Sequence, residues 1–407
     1  MRRSHRARAA ASTVAALALI GVAACGSDDS TAEPSTSAVA AEPSDGASDS
    51  AASSEPAAEG ASLAGVCPDT ITIQTDWNPE AEHGALYQMV GPDPEIDADL
   101  KTVTGALVGP GGAETGVQLQ VRAGGPAIGF QAPSAQMYSD DDITLAYVST
   151  DEAVSVSADL PTLAVVAPLD INPQIIMWDP ETFPDVAEIA DLGQTDTRVL
   201  YFQGAAYMDY LTGNGTLKPE QVDGSYDGTP TTFVASEGGL AQQGFATAEP
   251  YIYLNEIAEW GKEVAYQLIH DTGYPVYAAP LAIRSDDLET LRPCLEVLVP
   301  IVQQAQIDYV TDPSTANELI LALVEEYNTG WVYSQGVADF SVEKQLELGI
   351  VGNGSDDTLG NFDEERVQSI IDIASPIYEA TGKTLKENLA PADIATNEFI
   401  DTSIGLP

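Results

Sequence analysis

The chain is poor in basic residues, cysteine, histidine and tryptophan. Its 407 residues include 15 Lys and Arg, 3 His, 3 Cys and 4 Trp against 63 Asp and Glu, giving a formal net charge of −48. A chain this acidic repels nucleic acids and anionic lipid headgroups, so neither is an expected partner. The few cysteines and histidines form no recognisable zinc-ligand spacing. We therefore expect no metal and no other cofactor.

Sequence motifs that indicate catalysis or nucleotide binding are also missing. The chain has neither GxSxG nor HExxH, and neither the phosphate loop GxxxxGK[ST] nor GxGxxG after a strand. The many acids leave a hydrolase with a carboxylate pair open as an alternative. A binding protein that is not an enzyme is the first expectation.

The first 24 residues have the order of an export signal. MRRSHRARAA carries four Arg and no acid, and an apolar run ending in small residues follows. That run is shorter than the ~20 residues that a transmembrane helix needs. The segment Val22–Cys25 resembles a bacterial lipobox, which predicts lipidation of Cys25; the alternative is an ordinary signal peptide. Without the leader, 11 basic and 63 acidic residues remain, a formal charge of −52.

Residues 25–66 are predicted to be a disordered tether. They consist mainly of Ser, Ala, Glu, Asp and Pro and contain no aromatic residue. Such a composition buries too little apolar surface to fold and acts as a flexible spacer. We expect a folded body held by the Cys25 lipid at the outer face of the cytoplasmic membrane.

Two cysteines remain for the folded body. In an exported protein, Cys67 and Cys294 are most simply a disulfide that joins the start of the body to a later part of the chain. Two separate buried thiols are the alternative.

Apolar runs and amphipathic patterns alternate through the body, which predicts an α/β fold. Strands are expected at residues 70–75, 116–123, 143–148, 163–167, 174–178, 198–202, 231–234 and 274–283. Helices are expected at residues 83–90, 127–139, 151–158, 185–192, 205–211, 237–244, 256–272, 285–310, 313–327, 341–348, 363–381 and 384–389.

This order predicts two lobes with a ligand cleft between them and a helix-rich C-terminal half. The first lobe takes residues 67–170 and the second takes residues 171–250. Residues 251–407 return to the first lobe.

The segment DWNPEAEHGALY, which begins at Asp76, resembles the opening motif of bacterial solute-binding lipoproteins that serve ABC importers and bind thiamine-pyrimidine precursors. ITLAYVSTDEA, VVAPLDINPQIIMW and QQGFATAEPYIY are similar to later family segments in the expected order. Residues 91–116 depart from the family, because they are rich in Gly and Pro where it has a more regular helix.

The resemblance implies the type II fold of periplasmic binding proteins, a monomer, and partnership with an ABC permease and its ATPase. It implies as ligand a thiamine-precursor pyrimidine or a similar flat N-heterocycle such as riboflavin. Sulfonates, taurine or nitrate are the second choice. A pyrimidine-forming enzyme of the same family would need a cysteine-rich motif, which this chain lacks.

Candidate ligand contacts begin in the opening motif. Trp77 follows the first strand, where it either stacks on a flat ligand or fills the core. Glu80 and Glu82 at the helix start either contact the ligand or complement the helix dipole. His83 and Tyr87 share a helix face and line either the pocket or the core.

Further candidates follow later strands. Thr150 and Asp151 stand at a helix start, where capping and ligand contact are both possible. Gln203 and Gly204 form a turn that presents backbone N–H groups. Glu249 is a carboxylate at the expected hinge, where it pairs with a cationic ligand or stabilises the hinge. The remaining candidates are Asn78, Arg122, Asn172 and Tyr207, with Tyr226 as a secondary aromatic.

Overall fold

The structure is a computed structural model and describes residues 62–407. The predicted signal peptide, Cys25 and most of the predicted tether lie outside the described residues. The predicted fold class is confirmed: the body is mixed α/β, with two sheets and a helical C-terminal half.

The strands in chain order are β1 Thr70–Gln74, β2 Glu95–Asp97, β3 Thr102–Gly109, β4 Ala113–Arg122, β5 Leu145–Tyr147, β6 Thr162–Val166, β7 Gln174–Trp178, β8 Val199–Leu200, β9 Val222–Asp223, β10 Ala241–Phe245, β11 Ala265–Leu268 and β12 Leu281–Arg284.

The first sheet has the strand order β2-β3-β4-β1-β5-β12-β6. Its centre is parallel, since β1 pairs in parallel with both β4 and β5. Parallel strands are covered on both faces and therefore read as continuous apolar runs. β1 fits this rule, because its last four residues are all buried.

The second sheet has the order β11-β7-β10-β8-β9. β7 is antiparallel to both β10 and β11, whereas β8 is parallel to β10 and β9. The sequence placed the return of the chain at residue 251. In the structure, β11 still pairs in the second sheet, and β12 is the strand that re-enters the first.

The helices are α1 Gly84–Gln88, α2 Pro133–Ser139, α3 Thr150–Val156, α4 Ile189–Leu192, α5 Ala206–Gly213, α6 Thr231–Ala235, α7 Glu249–Asn255, α8 Leu288–Thr311, α9 Ser314–Tyr327, α10 Gln335–Glu347 and α11 Glu364–Ala380. None of the helices in residues 62–407 combines the length and apolarity that a membrane crossing requires.

The disulfide predicted between Cys67 and Cys294 is present. Cys67 lies just before β1, and Cys294 is buried in α8. The bridge therefore fixes the start of the folded body to the long helix that packs on the first sheet.

The predictions for two neighbouring segments were wrong, because each segment has the secondary structure that was expected of the other. Residues 231–234, expected as a strand, form the short helix α6, whereas residues 237–244, expected as a helix, contain β10. β10 is buried between β7 and β8, and its Gln242 side chain donates to the Tyr253 hydroxyl. Strand pairing on both sides of β10 and a hydrogen-bond partner for the buried Gln242 amide override the weak local preference of this segment for a helix.

Two more predicted helices are absent from the described structure. Residues 256–272 contain β11 instead, and residues 384–389 form no helix. The Gly- and Pro-rich residues 91–116 contain β2, β3 and the start of β4. β3 and β4 are joined by a turn at Pro110–Gly112. Gly and Pro are typical of such turns.

Arg366 of α11 joins the two segments that connect the sheets. Its guanidinium donates to the Asp170 carboxylate at 2.8 Å and to the Pro275 carbonyl at 2.7 Å, and it stacks on the Tyr277 ring at 3.7 Å. Asp170 belongs to the outward crossover, whereas Pro275 and Tyr277 belong to the return. One side chain thus holds both crossovers together.

Candidate functional site

A pocket of about 170 Å³ lies between elements of the two sheets. The loop after β1 and the loop before α10 form its first-sheet side. β10, the start of α7 and the segments after β8 and β9 form its second-sheet side. Its lining residues are Asp76, Trp77, Glu80, Gln174, Phe202, Tyr226, Gly228, Gln243, Gly244, Phe245, Ala248, Glu249 and Trp331.

Aromatic rings make up much of this wall. The half-buried Trp77 lies 6.0 Å from Phe202 and 6.1 Å from Trp331 between ring centroids, and Phe202 lies 4.9 Å from Tyr226. Phe130, largely exposed, is 6.0 Å from Trp77. Trp77 therefore lies at the centre of an aromatic cluster that faces both sheets.

Two glutamates bring carboxyl groups to the pocket. Glu80 is buried, and no hydrogen bond to its carboxyl occurs within residues 62–407; the nearest basic atom there is His83 Nε2 at 3.9 Å. Glu249 Oε2 accepts from the Phe245 N–H at 2.6 Å. Burial raises the pKa of Glu80 well above its ordinary value and the pKa of Glu249 to about 7.

His83 is buried behind this wall. Its Nε2 lies 2.8 Å from Asp76 Oδ1, and its ring stacks on Tyr147 at 5.2 Å. His83 does not line the pocket, but its contact orients the carboxylate of Asp76, which does. His83 therefore contacts the pocket wall through Asp76.

Glu82 also lies behind the pocket, where it links the two halves of the body. Thr247, just after β10, donates its hydroxyl proton to the Glu82 carboxylate, and Ser341 of α10 lies within 3.5 Å of the same oxygen. Burial raises the pKa of Glu82. This contact stabilises the packing of the β10 end against the helix start after β1.

Asn78, Tyr87 and Arg122 lie away from the pocket. Asn78 Oδ1 accepts from the Thr329 hydroxyl at 2.8 Å, which positions the loop that carries Trp331. Tyr87 lines a separate cavity of about 780 Å³ whose walls all belong to elements of the first sheet and its helices. Arg122 pairs with Asp140 at 2.7 Å.

Thr150, Asp151 and Asn172 make structural hydrogen bonds. Thr150 Oγ1 accepts from the Tyr277 N–H at 3.1 Å, Asp151 accepts from the Tyr274 hydroxyl at 2.9 Å, and Asn172 Oδ1 accepts from the Gln174 N–H at 2.9 Å. The predicted helix cap is present, since Ser149 accepts from the N–H of Glu152.

The remaining predicted contacts belong to the second sheet. Gln203 and Gly204 are exposed and do not line the pocket. The Tyr207 hydroxyl donates to Gln243 Oε1 at 2.9 Å, so Tyr207 orients a lining amide from behind. Of the predicted contacts, the structure brings Trp77, Glu80 and Glu249 together in the pocket wall, with the secondary candidate Tyr226.

Sequence reasoning did not single out Trp331 or Phe202 as pocket residues. Trp331 lies in the loop between α9 and α10, where neither periodicity nor a motif marks it. Its one signal is rarity, because it is one of four Trp in the chain.

No group of three or more His, Cys, Asp and Glu in the described part of the chain has the geometry to hold a metal ion. The residues that line the pocket carry aromatic rings, carboxyl groups and amides.

No family model matches the chain, and no curated protein matches it. Solved structures do resemble it. A protein from Bordetella bronchiseptica is 13% identical with a TM-score of 0.49, covering 82% of this chain and 96% of that one. The alkanesulfonate-binding protein SsuA from Xanthomonas axonopodis pv. citri, bound to MOPS, is 11% identical with a TM-score of 0.48, covering 81% and 99%.

The ligand-binding component of an ABC-type import system from Staphylococcus aureus, with zinc bound, is 12% identical with a TM-score of 0.46, covering 81% of this chain and 97% of that one. These similarities are too distant to assign a family. The pocket itself is the basis for the function.

Proposed function

We propose that this protein is an extracytoplasmic solute-binding protein of an ABC importer. It captures a small organic nutrient between two lobes, one built on each sheet, and delivers the closed form to a membrane permease that an ATPase partner drives. Binding shifts the open–closed equilibrium because the ligand contacts both lobes only when they are closed.

The observation that carries this proposal is the composition of the pocket wall. Trp77, Glu80 and Trp331 come from the first-sheet side, and Phe202 and Glu249 come from the second-sheet side. A pocket with walls from both sides, mostly apolar and with a few polar groups, is the usual form of a small-molecule site. Neither sheet forms this site alone.

On the sequence resemblance alone, the first choice of ligand is a thiamine-precursor pyrimidine or another flat N-heterocycle, such as riboflavin. The Trp77 ring offers a stacking surface. Sulfonate, taurine or nitrate is less well supported, because no Lys or Arg is among the residues that line the described pocket.

We further propose that the protein acts as a monomer anchored to the outer face of the cytoplasmic membrane. The lipobox-like segment before Cys25 and the tether-like composition of residues 25–66 support this placement.

Native mass spectrometry of freshly purified protein tests the role. We expect a small molecule bound at one per chain that is released on denaturation, and added ligand should raise the melting temperature. If no small molecule co-purifies and none of a panel of cations, heterocycles and sulfonates raises the melting temperature, the solute-binding proposal fails.

A further inference from the structure

The pocket has carboxyl groups but no basic side chain. Asp76, Glu80 and Glu249 line it, and the described Lys and Arg residues are absent from its wall. The arginine nearest in sequence to the motif, Arg122, is paired with Asp140 on another element. Nothing in the pocket wall balances the negative charge that these acids carry when ionised.

Glu80 is the least compensated of these acids. It is 4% exposed, lines the pocket, and receives no hydrogen bond within the described chain. Buried carboxyl groups in folded proteins are normally paired or hydrogen-bonded, because an unpaired buried charge is costly. Burial raises the pKa of the Glu80 carboxyl well above its ordinary value, and this carboxyl has no hydrogen-bond partner in the described chain. A cationic ligand would supply a partner.

The rings of the wall are inclined to one another. The interplanar angle is 90° between Trp77 and Trp331, 59° between Trp77 and Phe202, and 57° between Phe202 and Tyr226. A flat ligand is best held between parallel rings, whereas inclined rings surround a rounded group. Aromatic boxes of this kind bind alkylated ammonium groups through cation–π attraction.

We propose that the pocket binds a small alkylated ammonium cation, with Glu80 and Glu249 as counter-charges and the inclined rings around the alkyl groups. This inference rests on the proposed solute-binding role and names its ligand class. The pocket volume of about 170 Å³ suits a compact ligand.

Calorimetric titration of the purified protein tests this class. The probes are choline, its neutral isostere 3,3-dimethylbutan-1-ol, 4-amino-2-methylpyrimidine and taurine. We expect choline to bind at least about 30-fold more tightly than the neutral isostere, which corresponds to a cation–π and charge contribution of about 2 kcal/mol.

The variants Glu80→Gln and Glu249→Gln should each weaken choline binding by about tenfold or more while leaving binding of the neutral isostere unchanged. Glu152→Gln is the matched control. Glu152 has a carboxyl pKa likewise raised by burial, to about 7, but it lies outside the pocket. Its substitution should not change choline affinity.

Equal affinity for choline and its neutral isostere would overturn the inference. Binding of only the aminopyrimidine or only taurine would also overturn it, while leaving the solute-binding role intact. If all four probes fail to bind, the inference is wrong, and the co-purified ligand sought by mass spectrometry decides the role separately. Circular dichroism of each variant confirms that a lost signal is not unfolding.

Discussion

Trp77 has its position because two glycines lie beneath its loop. A Cβ on Gly124 would lie 2.3 Å from the Thr75 carbonyl oxygen, and one on Gly125 would lie 2.7 Å from the Trp77 ring. Gly125 also has a φ of 55°, a conformation that favours glycine. The Gly pair after β4 therefore allows the loop after β1 to present its ring to the pocket.

At this scale we expect Trp77→Ala to weaken ligand binding by about 30-fold or more, since a central aromatic anchor contributes roughly 2 kcal/mol. The ring is only half-buried, so the free energy of unfolding should fall by about 1 kcal/mol. Calorimetric titration with the co-purified ligand measures the first effect and urea unfolding the second.

Trp260→Ala is the matched control for this prediction. Trp260 packs on Phe233 on the second-sheet side and does not line the pocket. Its substitution should reduce stability but leave affinity unchanged. Unchanged affinity in Trp77→Ala would remove Trp77 from the binding site.

Glu249 makes cation affinity depend on pH. Its pKa is about 7 in the free protein because the carboxyl is buried, with Glu82 as a repelling neighbour; Glu80, Tyr226 and Tyr253 are also close to it. A bound cation favours the ionised carboxylate and lowers this pKa. Affinity should therefore rise as the pH rises through about 7, where Glu249 ionises, by at most about tenfold per unit for this proton. Ionisation of Glu80, whose pKa is also raised by burial, adds to the rise.

Titrations with choline between pH 5 and 8 test this dependence, because the charge of a quaternary ammonium does not change with pH. The variant Glu249→Gln should show a shallower slope. A flat profile in the wild-type protein would contradict the prediction.

At the scale of elements, the strands were predicted best where they are central. β1 and β7 are covered on both sides, and their apolar runs predicted them almost to the residue. The segment from residue 231 to 245 was predicted the wrong way round. β10 contains two Gln and a Gly, and only its pairing with β7 and β8 makes it a strand.

The contacts of Arg366 were not predicted, because its partners come from two distant parts of the chain, around residues 170 and 276. Its planar guanidinium reaches the Asp170 side chain and backbone as well as the Pro275 and Val276 carbonyls. A forked set of charged hydrogen bonds of this kind suits Arg and cannot be reproduced by Lys.

We expect Arg366→Met to lower the free energy of unfolding by about 2–4 kcal/mol, since it leaves the Asp170 carboxylate and several carbonyls without their donor. Urea unfolding measures the loss. Arg198→Met is the control, because Arg198 is 55% exposed and its pair with Asp223 should contribute less than about 1 kcal/mol. Equal losses of unfolding free energy in the two variants would show that Arg366 contributes no more to stability than an exposed ion pair.

At the scale of the whole molecule, the disulfide closes a loop that spans most of the folded body. Cys67 and Cys294 are 227 residues apart. A cross-link of this span restricts the unfolded chain strongly and is worth about 2–5 kcal/mol. It also ties the folded body to α8 at the point where the predicted tether ends.

The double variant Cys67→Ser/Cys294→Ser should lose this amount in denaturant unfolding without reductant. Reductant should lower the stability of the wild-type protein by a similar amount and leave the variant unaffected. If the wild-type protein and the double variant unfold at the same denaturant concentration, the bridge does not stabilise the fold.

The sequence by itself determined the acidic charge, the α/β class, the central strands, the cysteine pair and the motif around Trp77. These features are local in the chain or follow from composition, so pattern and propensity predict them.

Only the tertiary structure decided which side chains meet. Asn78 and Thr329 are 251 residues apart, yet their hydrogen bond brings Trp331 beside Trp77. Likewise, Glu80 and Glu249 acquire raised pKa values only because folding removes both from water and places them at one pocket. Burial and distant contacts are properties of the packed chain, and they place these two helix-start glutamates in the wall of one pocket.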